Sequence, residues 1–179
     1  LSPLLIYYPA AAATDAPQPA SPPPETHRQN LVRRFGSEAA QTLFHGFGYA
    51  VSGAAAAPGR FPILVFAPGA NLMAFDYRSI LEATASFGYV VVALTPAERT
   101  TYARLADDLS LLITTIDRWI ADARDSLGAI CDGGRIATFG HSMGGAAAIL
   151  AASRTARILS AANLDGDFGQ PTDDARPAQ

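Results

Sequence analysis

Two uninterrupted apolar runs constrain this chain more than anything else in it. Residues 61–67 read FPILVFA and close on Pro68-Gly69, and residues 89–94 read YVVVAL and close on Thr95-Pro96. A strand with one wet face alternates apolar and polar residues, so a run with no polar position is covered on both faces. Helices supply that cover. Residues 75–87 between the runs read as a helix stopped by Gly88. Strand, helix and strand in that order make a right-handed parallel βαβ unit.

The rest of the chain extends the alternation. A long helix is predicted from about Tyr102 to Ser126, with Leu105, Leu109, Leu112, Ile113, Ile116, Trp119, Ile120 and Ala123 on one stripe. Asp132-Gly133-Gly134 reads as a turn, Arg135 to Phe139 as a short strand, Met143 to Ser153 as an Ala-rich helix and Ile158 to Leu164 as a last strand. Upstream, Leu4 to Tyr8 reads as a strand. Residues 10–25 carry five prolines and form a predicted surface loop, since such a run suits neither a helix interior nor a central strand. Phe44 to Ala55 reads as a second, twisted strand. No internal repeat is present. The predicted fold class is α/β, a doubly wound and mostly parallel sheet. Its ligand site should lie at the carboxyl ends of the strands.

Composition sets the outer limits. The 179 residues fit one domain, and 49% apolar against 16% charged residues argue for a packed core. A formal charge of −3 argues against a nucleic-acid partner. All thirteen basic residues are Arg, which reads as codon bias. Cys131 is the only cysteine, so an intrachain disulfide is excluded and the redox compartment stays open. No apolar run reaches the ~20 residues of a membrane span. The opening residues show no basic stretch followed by a cleavage site, so no signal peptide is read there. Localisation and oligomeric state stay open.

The chemistry lies in RIATFGHSMGG, residues 135–145. Gly140-His141-Ser142-Met143-Gly144 fits G-x-S-x-G between a strand and a helix of small residues. In that setting the serine stands at the apex of a sharp turn with its hydroxyl exposed above the sheet. The helix that follows aims its N-terminal N–H groups at the same point, favouring negative charge there. Ser142 is the expected nucleophile. An ester hydrolase also needs two oxyanion donors. The backbone N–H of Met143 is the first, and the Ala70 N–H in the Pro68-Gly69-Ala70 turn is the second. Asn71, Leu72, Met73 and Phe75 follow that turn and are the expected acyl-pocket residues. No metal cluster or dinucleotide fingerprint is present, so no metal or cofactor is expected.

These segments resemble the platelet-activating-factor acetylhydrolase type of α/β-hydrolase, in a wider group with dienelactone hydrolases and cutinase-like polyesterases. IYYPA resembles that family's opening strand, FPILVFAPGA its oxyanion strand and turn, FGYVVVALTP the next strand, and RIATFGHSMGGAAA its elbow. Ala161-Ala162-Asn163-Leu164-Asp165 is similar to the strand that ends in its triad aspartate. The resemblance implies an α/β-hydrolase fold, a short-acyl or lipid ester as small-molecule substrate, and Asp165 as the catalytic acid, with Asp167 its nearest rival.

The sequence departs from that family at the base. The expected order is Ser, acid, His, yet no histidine follows Ser142. His27 sits by the proline-rich loop, His45 opens the predicted second strand, and His141 belongs to the elbow with its side chain directed away from the serine. None makes a good base. The expectation is a single domain over 1–179 that is incomplete at its C-terminus, with further strands and helices and the histidine beyond residue 179, and with little activity in these residues alone. A cutinase-like polyesterase whose acid lies on a later strand, and a non-catalytic binding protein on the same fold, are the alternatives. The dienelactone reading is weaker, because that group carries cysteine at the nucleophile position.

Overall fold

A computed structural model describes residues 4–11, 25–44, 49–96 and 100–167. Most of the predicted proline-rich loop, His45 and the tail after residue 167 lie outside the described residues.

Five strands, β1 (Leu4–Tyr7), β2 (Phe61–Ala67), β3 (Val90–Leu94), β4 (Cys131–His141) and β5 (Ser160–Leu164), form one sheet in the order β1-β3-β2-β4-β5. β1 runs antiparallel to β3, and the other pairs are parallel. The chain steps from β2 to β3 on one side, then returns across β2 to lay down β4 on the other. The switch point therefore lies between the carboxyl ends of β2 and β4, where open α/β sheets bind their ligands.

The apolar runs are explained by cover on both faces. Ile63, Val65 and Ala67 of β2 and Val90, Val92 and Leu94 of β3 pack under α4 (Tyr102–Ala121) and α6 (Met143–Arg154). Phe66 of β2 and Val91 and Ala93 of β3 face the other way, against Leu81 and Ala85 of α3 (Arg78–Ser86) and Ala74 of the short 3-10 turn Ala74–Tyr77 that precedes it. Each strand thus alternates between two cores. The predicted stripe of the long helix supplies the first core with Leu105, Leu109, Leu112, Ile113 and Ile116, all buried.

Several boundaries differ from expectation. The long helix stops at Ala121, and Asp122 takes an extended conformation. Asp125 then accepts the N–H groups of Leu127 and Gly128 at 2.9 Å and starts a separate helix, α5 (Ser126–Ile130). Capping by aspartate wins over the helical period there. The predicted Gly-Gly turn is a loop-out inside β4. Pairing with β2 jumps from Pro62↔Asp132 to Ile63↔Ile136, and Asp132 bonds the Gly134 N–H and the Arg135 guanidinium across the gap.

The second strand predicted over Phe44 to Ala55 does not appear among the described residues of that stretch, of which 45–48 lie outside the description. Phe44 ends a helix, and residues 49–55 form no strand. Gly53 turns the chain at φ 69°, and residues 54–57 bond back to Tyr8, Pro9 and Ala11 instead of joining the sheet. Helices α1 (Glu25–Phe35) and α2 (Ser37–Phe44) occupy a region where no element was predicted.

Candidate active site

β4 ends at His141, α6 begins at Met143, and Ser142 alone makes the turn between them. Its backbone sits at φ 52°, ψ −126°, outside the regions ordinary L-residues prefer. Such a conformation costs about 1–3 kcal/mol and persists only where its surroundings enforce it. The enforcement here is visible. The Ser142 N–H donates to the Leu164 carbonyl of β5 at 2.8 Å, and the Ser142 carbonyl accepts from Gly145 and Ala146 at 2.9 and 3.2 Å. Ser142 is half-buried, and its hydroxyl has no hydrogen-bond partner among the described residues.

The elbow closes only because its glycines have no side chain. A Cβ on Gly144 would collide with the carbonyl oxygens of Ala67 and Pro68, and one on Gly140 with Gly144. The contact with Ala67 and Pro68 places the turn after β2 directly against the first turn of α6. Deeper in that helix, Gly145, Ala146, Ala147 and Ala148 are buried, and the Thr138 hydroxyl of β4 reaches the Ala148 carbonyl at 3.0 Å.

The turn after β2 is itself well defined. The Leu72 N–H bonds the Gly69 carbonyl at 3.1 Å, with Asn71 at φ 60°. Pro68 and Gly69 are buried, whereas Ala70 and Asn71 are exposed. Leu72, Met73 and Phe75 are partly exposed beside them, and Asp76 bonds the Met73 N–H at 2.8 Å to hold the following 3-10 turn. Met143 occupies the first position of α6 and packs partly against the core. The elbow and the Pro68-Gly69-Ala70 turn thus share one end of the sheet.

Asp165 follows β5 with φ 57°, and its exposed carboxylate has no partner among the described residues. Sequence reasoning missed the group that shapes this corner. The Asn163 amide accepts the Gly166 N–H at 2.7 Å and donates to the Gly166 carbonyl at 3.0 Å. Gly166 packs so closely that a Cβ would strike the Asn163 amide and the Ser142 carbonyl. The loop after β5 and the elbow are therefore in contact. An Asn three residues before a Gly, at a strand end, is the signal that was available for it.

His141, next to Ser142 in the chain, is engaged with Tyr77. Its Nδ1 lies 2.7 Å from the Tyr77 hydroxyl, which also accepts the Gly69 N–H at 3.1 Å. Burial, foremost, pushes the Tyr77 phenol above its ordinary range, opposed by the Gly69 N–H and assisted by Asp76. Nothing is described of the His27 side chain. Among the described residues no group of three or more His, Cys, Asp or Glu is placed to hold a metal, and no helix is long and apolar enough to cross a membrane.

Residues 51–165, more than half of the chain, match the sequence model of the chlorophyllase family. The chain belongs to the chlorophyllase family. The matched segment runs through the turn after β2 and the elbow to Asp165. Among solved structures the chain is similar to the ferulic acid esterase from Streptomyces cinnamoneus, with a TM-score of 0.61 and 21% identity, over 87% of this chain and 48% of that one. That likeness establishes the α/β-hydrolase fold, and the chain spans about half the length of that esterase. No curated protein matches the chain. Chlorophyllase-family membership agrees with the sequence resemblance at the level of the α/β-hydrolase group, without singling out the acetylhydrolase type within it.

Proposed function

We propose that this chain carries the nucleophile side of a serine carboxylic ester hydrolase. Ser142 attacks the ester carbonyl and the N–H groups of Met143 and Ala70 receive the oxyanion. The substrate's acyl C–O bond then breaks, the alcohol leaves with a proton, and water hydrolyses the acyl-Ser142 ester to the carboxylic acid and free Ser142. The observation that carries the reading is Ser142 itself: a hydroxyl without a partner among the described residues, at φ 52°, beside the turn after β2. A strained conformation on a residue that could have been glycine is compatible with retention for chemistry.

Asp165 is the proposed acid. Its support is its position after β5, with the Asn163–Gly166 clamp in contact with the elbow. The proposed base is a histidine from polypeptide outside these 179 residues, since His27, His45 and His141 all precede Ser142, against the order Ser, acid, His, and the His141 ring is engaged with Tyr77. Residues 1–179 are read as one domain that such polypeptide completes beside β5, the terminal strand of the sheet, whose outer edge pairs with no strand among the described residues. Asn71, Leu72 and Phe75 line the acyl side of the opening, and no metal or cofactor enters the chemistry.

The substrate proposed is a short-acyl or lipid ester, by resemblance to the acetylhydrolases. The family's name points to chlorophyll and the structural neighbour's to ferulic acid esters. All three share an ester bond. The test is turnover by the full-length protein of nitrophenyl esters of increasing acyl length, alongside chlorophyll. Ser142→Ala should lower kcat by at least about 10⁴-fold on whichever ester is turned over. Turnover unchanged in that variant would refute the reading.

A further inference from the structure

Tyr77 and Gly69 are eight positions apart in sequence, and Tyr77 and His141 sixty-four apart, yet all three meet beside the turn after β2. The Tyr77 phenol oxygen accepts the Gly69 N–H at 3.1 Å and lies 2.7 Å from His141 Nδ1. The phenol has a proton to donate to an unprotonated Nδ1 and a lone pair to accept from Nδ1–H, so the direction of that bond follows the His141 tautomer, while the Gly69 bond holds in either case. The Tyr77 ring rests on Phe66 at 4.7 Å between centroids, and Phe66 rests on Phe139 at 4.8 Å. Those two phenylalanines belong to β2 and β4, the strands that deliver the oxyanion turn and the elbow.

Resting on the proposed function, we infer that Tyr77 is the positioning residue of the oxyanion hole. Gly69 is the softest link in the turn, because glycine lacks the Cβ that narrows φ and ψ. It is held on both sides. Its N–H goes to Tyr77, and its carbonyl accepts from Leu72 at 3.1 Å. In a trans peptide the carbonyl and the next N–H point in opposite directions. Fixing the Gly69 carbonyl toward Leu72 therefore directs the Ala70 N–H outward from the turn. The Tyr77 bond also removes the Gly69 N–H from the set of oxyanion donors, leaving Ala70 as the donor of that segment. Packing is tight: a Cβ on Gly69 would lie 3.0 Å from His141 Nδ1 and 3.2 Å from the Tyr77 oxygen. Tyr77 touches no reacting atom in this scheme. It acts by limiting how far the Ala70 N–H can wander, and a donor matters to the extent that it is preorganised.

Tyr77→Phe in the full-length protein tests this, because the ring and its contacts remain while the hydroxyl goes. Loosening a donor should cost less than deleting one, so kcat on a nitrophenyl ester is expected to fall about 10- to 100-fold with KM within about twofold. A boronic acid, whose anionic tetrahedral adduct with Ser142 mimics the oxyanion, should bind weaker by the same factor. Affinity for the neutral product alcohol should not change. His141→Gln, which keeps a hydrogen-bond partner for the phenol, should retain most activity, while His141→Phe should follow Tyr77→Phe. Wild-type kcat and boronate affinity in Tyr77→Phe would overturn the inference, and so would a loss confined to KM. If Tyr77→Phe does not fold, His141→Phe decides by the same two readouts. Ser142→Ala runs in parallel: activity surviving there refutes the hydrolase reading itself, whereas activity lost there but intact in Tyr77→Phe refutes only the role of Tyr77.

Discussion

At the scale of single residues, the site is a set of backbone conformations that cost free energy and are held by neighbours. Ser142, Asn71 and Asp165 all have positive φ, at 52°, 60° and 57°. Asn and Asp tolerate that region better than serine does. Replacing Ser142 by glycine should therefore relieve strain that replacement by alanine retains. We expect Ser142→Gly to be more stable than Ser142→Ala by about 1 kcal/mol, the reverse of the usual ranking of these residues, as read by urea denaturation. In the loop after β5, which carries the proposed acid Asp165, Asn163→Ala removes both bonds to Gly166. Since it frees the loop that carries Asp165, it should lower kcat by more than about tenfold while leaving KM little changed, checked by steady-state kinetics of the full-length protein. Equal kcat in the variant would mean that Asp165 is not the acid or is fixed by other groups.

At the scale of elements, the elbow depends on how closely α6 approaches the turn after β2. Gly144→Ala would place a methyl group against the carbonyl oxygens of Ala67 and Pro68. Both are main-chain atoms and cannot swing aside, so the cost should be about 3 kcal/mol, measured by denaturant midpoint. Cys131, at the other end of β4 and buried in the core, gives a separate check on the packing there. Burial, with a smaller contribution from Asp125, pushes its thiol up to about 11 against the opposing effect of Arg60. The native protein should resist alkylation at neutral pH, and the urea-unfolded chain should react at once.

The elements that were legible in the sequence were those decided by burial. Residues 61–67 and 90–94 are covered on both faces, so no polar residue interrupts them, and the helix with Leu105, Leu109 and Ile116 shows its buried stripe. Elements decided by local polar competition were misread. Asp122 and Asp125 split one helical period into α4 and α5, and residues 54–57, at the end of the predicted second strand, bond to Tyr8, Pro9 and Ala11 instead of pairing in the sheet. Helices α1 and α2 went unread, for many of their described residues are exposed and give no clear stripe. The site was half legible. The elbow and the turn after β2 carry local motifs. The Tyr77–His141 pair and the Asn163 clamp are contacts made by the fold, and spacing alone does not announce them.

At the scale of the molecule, two cores on opposite faces of the sheet join helices to β2 and β3, while β5 lies at the margin with alternate residues exposed. β1 closes the other margin and carries Tyr7. Burial there, reinforced by the charge of Glu82 and opposed by Arg78, raises the Tyr7 phenol from its ordinary 10.0 to about 12. The folded chain keeps this proton where the unfolded chain loses it. The resulting stability is intact below pH 10 and is lost as pH rises toward 12. Tyr7→Phe should flatten that alkaline decline, as followed by unfolding curves at successive pH values. The proposed source of the base makes a prediction at the same scale. The purified 179-residue chain should hydrolyse nitrophenyl esters at no more than about 10⁻⁴ of the full-length rate. Comparable rates would place the base within these residues.

The central claim is that Ser142 is a nucleophile, and covalent labelling tests it most directly. Full-length protein treated with a fluorophosphonate and digested should yield one modified peptide, with the phosphonyl group on Ser142, and no adduct in Ser142→Ala. An adduct on a different residue, or an unlabelled Ser142 in protein that hydrolyses esters, would contradict the account.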